Sequence, residues 1–312
     1  MAETPVHMWV IFWGVVAAAL VLDIAVLHRK PHKISLKQAL GESAAWIGLA
    51  LAFNLWIYFA RGPQAGVEFL TGYLVEKSLS LDNVFVFLII FRAFGVPAEF
   101  QHKVLYYGVL GALVLRGVFV LAGVSLLQHF HFTVYVFGAI LFLVGLKMLW
   151  PGERTIQPEK NWLVRLAQRV APVQHEHAGG AFWVKRGGKW NTTPLFLALV
   201  AAEAMDIIFA VDSVPAVLAI TRDTFIVFSS NAFAILGLRA LYFAVAKVLS
   251  RVRFIHQGLA AILIFVGAKM LGSERVAISA AASLGIIAGI LVVTIAASLA
   301  FPQNAPASGT SG

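Results

Sequence analysis

Glu76-Lys-Ser-Leu-Ser-Leu-Asp82-Asn83-Val84 and Asp206-Ile-Ile-Phe-Ala-Val-Asp212-Ser213-Val214 share one layout: a carboxylate, five residues, an Asp, a small amide or hydroxyl, and Val. Both lie inside long apolar runs. A carboxylate at the centre of a membrane helix costs roughly 2.5–3.5 kcal/mol on insertion scales, so it persists where it has a partner or a task. On an ideal helix Glu76, Ser80 and Asn83 share one face, and Glu203, Asp206 and Ser213 form a second stripe. Asp82 and Asp212 fall about 120° from their motif partners on the 3.6-residue period. Either these two look elsewhere, or the helices are locally unwound so that all the acids converge. Pro215 gives span six a physical cause for a break, because it removes a hydrogen bond near Val211.

Five acids (Glu76, Asp82, Glu203, Asp206, Asp212) accompany Ser80, Asn83 and Ser213, with no histidine in either motif helix. Such all-oxygen donors suit hard divalent cations, Mn²⁺, Mg²⁺ or Ca²⁺, rather than copper or zinc. Lys77, Arg116 and Arg239 are candidate structural or charge-balancing groups. If they lie nearby, five negatives less three positives leave a charge of −2, enough to offset one dication. The competing reading makes Asp82 and Asp212 plain structural partners of Arg116 and Arg239. Asp23 reads as an interfacial or structural acid, Lys147 and Lys269 as snorkelling cations near helix ends, and Glu68 as a solvated rim residue. His129, His131, His175 and His177 are two isolated pairs without further ligands, and read as surface residues.

These motifs need membrane helices to hold them. The chain has 312 residues, 60% of them hydrophobic and 12% charged, with a mean hydropathy of +0.85. Soluble domains are nearer one-quarter charged. Nine apolar stretches long enough to cross a bilayer are read at about 9–27, 42–60, 68–91, 104–125, 132–150, 195–219, 225–248, 255–271 and 276–299. The expected fold class is therefore an all-α polytopic membrane protein. Residues 1–300 form a single transmembrane domain and 301–312 a disordered tail.

The net charge of +9 is a topology signal rather than a nucleic-acid footprint. With the N-terminus outside, 16 Lys and Arg face the cytoplasm and three (Arg61, Arg222, Arg275) face out, which the positive-inside rule reads as N-out and C-in. Seven of the 16 lie between 151 and 193, the long cytoplasmic connection. There Trp162, Leu166 and Val170 have the spacing of a helix lying on the membrane, and Phe182–Trp190 that of a small hairpin turning at a Gly pair. Zero cysteines exclude disulfides and thiol redox chemistry.

The acidic motif is not the only echo. Ala139-Ile-Leu-Phe-Leu-Val-Gly145-Leu-Lys147-Met-Leu149 matches Ala261-Ile-Leu-Ile-Phe-Val-Gly267-Ala-Lys269-Met-Leu271, and Leu115-Arg116 matches Leu238-Arg239. Spans three to five (about 68–150) and six to eight (about 195–271) thus form two units of three spans. An odd number forces the second unit upside down, as in the inverted repeats of secondary transporters, whose sites lie near the midplane. Gly285-Ile-Ile-Ala-Gly289 adds a small-xxx-small spacing that packs span nine against the bundle or a second copy.

Through both acidic motifs, together with Leu22-Asp23-Ile-Ala-Val-Leu-His-Arg29-Lys30, the chain closely resembles the TerC family of integral membrane proteins from Trp9 to about Ala300. Its nine-span length is similar to the Alx-type branch, which implies manganese export. The family's name implies tellurite resistance, and its chloroplast relatives imply a role in protein insertion. The resemblance carries a metal-coordinating role onto Glu76, Asp82, Asn83, Glu203, Asp206, Asp212 and Ser213.

The expectation is a non-enzymatic secondary transporter of the bacterial-type cytoplasmic membrane. It exports a divalent cation, Mn²⁺ first, in exchange for protons, with no organic cofactor and no nucleic-acid partner. The alternative is a non-transporting membrane partner in protein insertion or in tellurite and metal stress. An intramembrane aspartyl protease would also need paired Asp residues, but the Gly-x-Gly-Asp pattern expected of one is absent.

Overall fold

The computed structural model describes residues 4–23, 35–130, 132–149, 163–166, 180–186, 189–248, 254–273 and 278–301; within helices, the side chains of Asp82 and Asp212 also lie outside the described part. The helices are α1 (Val6–Leu22), α2 (Leu36–Arg61), α3 (Pro63–Ala93), α4 (Ala98–His129), α5 (Thr133–Leu149), α6 (Pro194–Leu218), α7 (Thr224–Leu236), α8 (Leu238–Val248), α9 (Ile255–Leu271) and α10 (Ala280–Ala300). Each coincides with an expected apolar stretch, one stretch being divided between α7 and α8. In hydrocarbon the backbone must satisfy its own polar groups, and helices do so within one segment.

Among the described residues four helices, α2, α4 over Ala98–Leu127, α6 and α10, are long and apolar enough to cross a membrane outright, and α7 with α8 adds a fifth if the bent pair is one span. α1, α5 and Gln257–Leu271 of α9 are apolar but shorter. α3 has ample length at 31 residues, but it carries Glu68, Glu76, Lys77, Asp82 and Arg92, more charged residues than any of those helices.

Helix starts follow local chemistry. Pro63 and Pro194 open α3 and α6, where a missing N–H costs nothing. Asp223 caps α7 by accepting from Phe225 N (3.0 Å) and Ile226 N (3.1 Å), and Arg61 at the end of α2 pairs with the same carboxylate at 2.6 Å.

α7 is the axis of the bundle. Every residue from Phe225 to Leu236 is buried, in keeping with a helix whose apolar residues lie on every side, interrupted by Ser229-Ser230-Asn231. Phe225, Phe228 and Phe233 meet Trp9 and Phe12 of α1, Phe53 of α2 and Phe69 of α3, with Phe53 and Phe233 ring centroids 4.7 Å apart. The outer surface is apolar too: Val114, Val118 and Leu121 of α4 and Val292, Val293 and Leu299 of α10 are each more than 60% exposed. A surface of that kind belongs in lipid.

α5 and α9 cross closely and antiparallel. A Cβ at Gly145 would lie 2.9 Å from Ala260 O, and one at Gly267 would lie 2.8 Å from Gly138 O. In the sequence echo Gly145 corresponds to Gly267 and Ala260 to Gly138, so the two contacts exchange as a two-fold axis requires.

The expected hairpin is present as β1 (Trp183–Arg186) and β2 (Lys189–Thr192), antiparallel with Trp183 opposite Thr192; its Gly187-Gly188 turn lies outside the described residues. Of the expected surface helix, 163–166 is helical and the remainder lies outside the described residues. Of the two alternatives for span six, the break is not seen: α6 runs unbroken through Pro215, since Pro215 sits in the last turn and Ala219 N still reaches Pro215 O at 2.9 Å. The break falls in span seven instead, where α7 and α8 meet at 41° across Gly237.

Candidate functional site

Arg116 of α4 is 1% exposed and lies at the meeting point of α3, α4, α6 and α7. One terminal nitrogen donates to Glu76 Oε1, to Ser213 Oγ at 3.0 Å and to Asn231 Oδ1 at 3.3 Å. The other donates to Asp206 Oδ1 at 3.1 Å, and Nε reaches Asp206 Oδ2 at 3.4 Å. This forked approach is the geometry that guanidinium and carboxylate share. Asn231 Nδ2 then donates to Glu76 Oε2 at 3.0 Å, so both Glu76 oxygens have a partner.

Local structure explains why Asn231 turns inward while its neighbours do not. Ser229 Oγ returns to Phe225 O (2.6 Å) and Ser230 Oγ to Val227 O (3.2 Å), each satisfied on its own helix. The Asn amide is too rich in donors and acceptors for that and must find side-chain partners.

Beside the cluster is a cavity of about 20 Å³, room for roughly one water. Glu76, Asn83, Arg116 and Ser213 line its polar side, and Phe209, Leu259 and Leu263 close it. Glu76, Asn83 and Ser213 therefore share a space, as their helix faces suggested. Two carboxyl groups face one guanidinium at this centre.

Glu203, one turn along α6 from Asp206, lies over α4 rather than on Arg116. A Cβ at Gly111 would sit 2.5 Å from its carboxyl carbon, so the glycine makes the carboxyl's berth. Among the described residues its Oε2 is buried without a hydrogen-bond partner, as is Ser80 Oγ on α3.

Arg239 pairs with the buried Asp23 at the end of α1. Lys77 donates to Ala234 O of α7 at 3.3 Å. The described carboxylate partners of Arg116 are Glu76 and Asp206; the side chains of Asp82 and Asp212 lie outside the described residues. Among the described residues no three His, Cys, Asp or Glu side chains gather to hold a metal ion.

Residues 61–305 match the family described as "Integral membrane protein TerC family". The chain belongs to the TerC family. It is 45% identical over 301 residues to the membrane protein STKORF319 of Myxococcus xanthus, covering 96% of this chain and 94% of the relative. It is 44% identical to Alx of Escherichia coli (strain K12) and of Salmonella typhi, each named as a proposed membrane-bound redox modulator, with 92% of both chains covered. No solved structure matches. TerC membership makes this an integral membrane protein, in keeping with its apolar exterior. The matched region carries both acidic motifs, Arg116 and Asn231.

Sequence reasoning missed Asn231 because it has no counterpart in the other unit; the position matching it through the Arg116–Arg239 echo is Gly108. The signal available was Ser229-Ser230-Asn231, a polar run inside an otherwise apolar span.

Proposed function

We propose that this TerC protein is a secondary transporter that exports a divalent cation, with Mn²⁺ the first candidate, in exchange for protons. The observation that carries this reading is the meeting of Glu76 and Asp206. They occupy matching motif positions on α3 and α6, and one buried guanidinium holds both. The exchange of contacts between Gly145 and Gly267 supports an inverted repeat, and such repeats place substrate sites between their halves. The basic connection at 151–193 supports an N-out, C-in arrangement in a bacterial-type cytoplasmic membrane.

On this reading Arg116 holds the place of the cargo. A dication reaching Glu76 and Asp206 displaces the guanidinium, and Asn83, Ser213 and Glu203 supply further oxygens, with Asp82 and Asp212 completing the set. Protonation of the carboxylates weakens their hold on a cation, which couples release to protons. Arg116 then returns, so the empty carrier does not bury two uncompensated charges.

A second reading is favoured by the same arginine: a centre whose two carboxylates are both already paired with Arg116 suits a non-transporting membrane partner in protein insertion or in tellurite and metal stress. The redox role in the Alx name does not extend to this chain through thiols, since it has no cysteine. Purified protein in liposomes with a trapped metal-sensitive dye separates the readings. Mn²⁺ flux that follows a pH gradient and vanishes in Glu76→Gln and Asp206→Asn supports transport; flux unchanged by both substitutions, or absent from the wild type, removes it.

A further inference from the structure

Among the described residues, one span is broken: α7 and α8 meet at 41° across Gly237. A break frees carbonyls at the end of the first half, and the aligned peptide dipoles make that end partially negative. Away from water each freed carbonyl needs a partner. Lys77 of α3 supplies one, its ammonium donating to Ala234 O at 3.3 Å. Gly237 leaves the room for it: a Cβ there would lie 2.7 Å from Lys77 Nζ and 3.3 Å from Trp46 Cβ.

The ends of half-helices, with their freed carbonyls, are where transporters seat coupling cations. We infer that Lys77 is a tethered cation: its ammonium fills a monovalent-cation seat at the negative end of α7 and fixes that helix against α3. A neutral carbonyl and about half a unit of helix charge match one positive charge rather than two. The lock bears on the acidic centre because Ala234 is three residues from Asn231, and Lys77 is next to Glu76. α3 thus holds α7 at two adjacent points, Glu76 to Asn231 and Lys77 to Ala234. Lys77 is a positioning residue, and a chain without it gains a vacant seat for an alkali cation.

The lock is independent of transport; its effect on flux rests on the function proposed above. The test uses the full chain with Lys77→Ala, Gly237→Ala and both together, melted in choline, Na⁺, Li⁺ and K⁺ chlorides at equal ionic strength. The wild type should melt alike in all four. Lys77→Ala should melt lower in choline and recover in one alkali cation, which at a hundred times its Kd favours the folded state about a hundredfold. Gly237→Ala should cost less when Lys77 is already gone, a non-additivity expected of groups in contact.

In liposomes, Lys77→Ala should lose roughly ten- to a hundredfold in metal flux, as misplaced site groups do, and regain part of it with the same alkali cation. Lys77→Met, which keeps most of the stem, carries these measurements if Lys77→Ala does not fold. A variant that melts like the wild type, or that no alkali cation restores, overturns the tethered cation. So does an equal Gly237→Ala cost with and without Lys77. A wild type without flux removes the transport reading, while the melting experiments still decide the lock.

Discussion

Asn231 hydrogen-bonds to Glu76 at 3.0 Å and to Arg116 at 3.3 Å, tying the most deeply buried helix to both signs of charge at the centre. Leucine at 231 would remove both bonds and leave one Glu76 oxygen buried without a donor, at a cost of about 1–3 kcal/mol. Ser229→Ala on the same helix removes a hydroxyl that bonds its own backbone, and should cost under about 1 kcal/mol. Thermal melting of the two variants in detergent reads the difference. Equal shifts would mean that Asn231 contributes packing alone.

Arg116→Met asks more of the centre, because it strands Glu76 and Asp206 together. Breaking a buried pair from one side costs about 3–5 kcal/mol. The loss has a chemical signature beyond its size: two unpaired carboxylates should now hold a dication, and a ligand that binds the folded state raises its melting temperature. Millimolar Mn²⁺ should therefore stabilise Arg116→Met more than the wild type. If Mn²⁺, Mg²⁺ and Ca²⁺ all leave the variant's melting curve where it was, the centre is an ion pair and no metal site.

Much of this arrangement is legible in the amino-acid sequence. Apolar runs announced the helices because lipid and the bundle interior are alike in polarity, and the acids stood out against them because burying a charge is costly. Glu76 and Asp206 meet as their shared motif suggested. The two arginines part company for a reason the motif does not contain. Leu115-Arg116 lies within continuous α4, whereas Leu238-Arg239 opens α8 just after the 41° bend, which turns Arg239 toward Asp23. Proline was the visible candidate for a break, yet Pro215 is absorbed by the last turn of α6, while Gly237 beside Lys77 hosts the bend. That contact links residues far apart in the chain, so no local pattern signals it.

Gly111 and Gly108 lie three residues apart on α4 and should respond differently to alanine. A Cβ at 111 would enter the Glu203 carboxyl, whereas at 108 the nearest atoms are 3.9 Å away. Gly111→Ala should cost about 1–3 kcal/mol as an overpacked site, while Gly108→Ala should be close to neutral. Combining Gly111→Ala with Glu203→Ala relieves the clash, so the pair should be less damaging than its parts suggest. Additive losses in the double variant would place Glu203 elsewhere in the working protein.

The α5–α9 crossing carries the strongest test of the two-fold relationship. Gly145 and Gly267 are equivalent under it, and each approaches backbone of the opposite helix: Ile264 N at 2.9 Å from a Cβ on 145, Phe142 N at 2.5 Å from a Cβ on 267. Backbone cannot swing aside as a side chain can, so alanine at either position pushes the helices apart. Each substitution should cost about 1–3 kcal/mol, with the two costs alike because the contacts are images of one another. Gly285 on α10 has nothing within 4 Å of its would-be Cβ, so Gly285→Ala should gain up to about 1 kcal/mol from helix propensity. Melting temperatures of the three variants in one detergent decide the matter. A large loss at Gly267 beside none at Gly145 would show that the crossing is not symmetric, and the axis relating the two halves would lose its structural support.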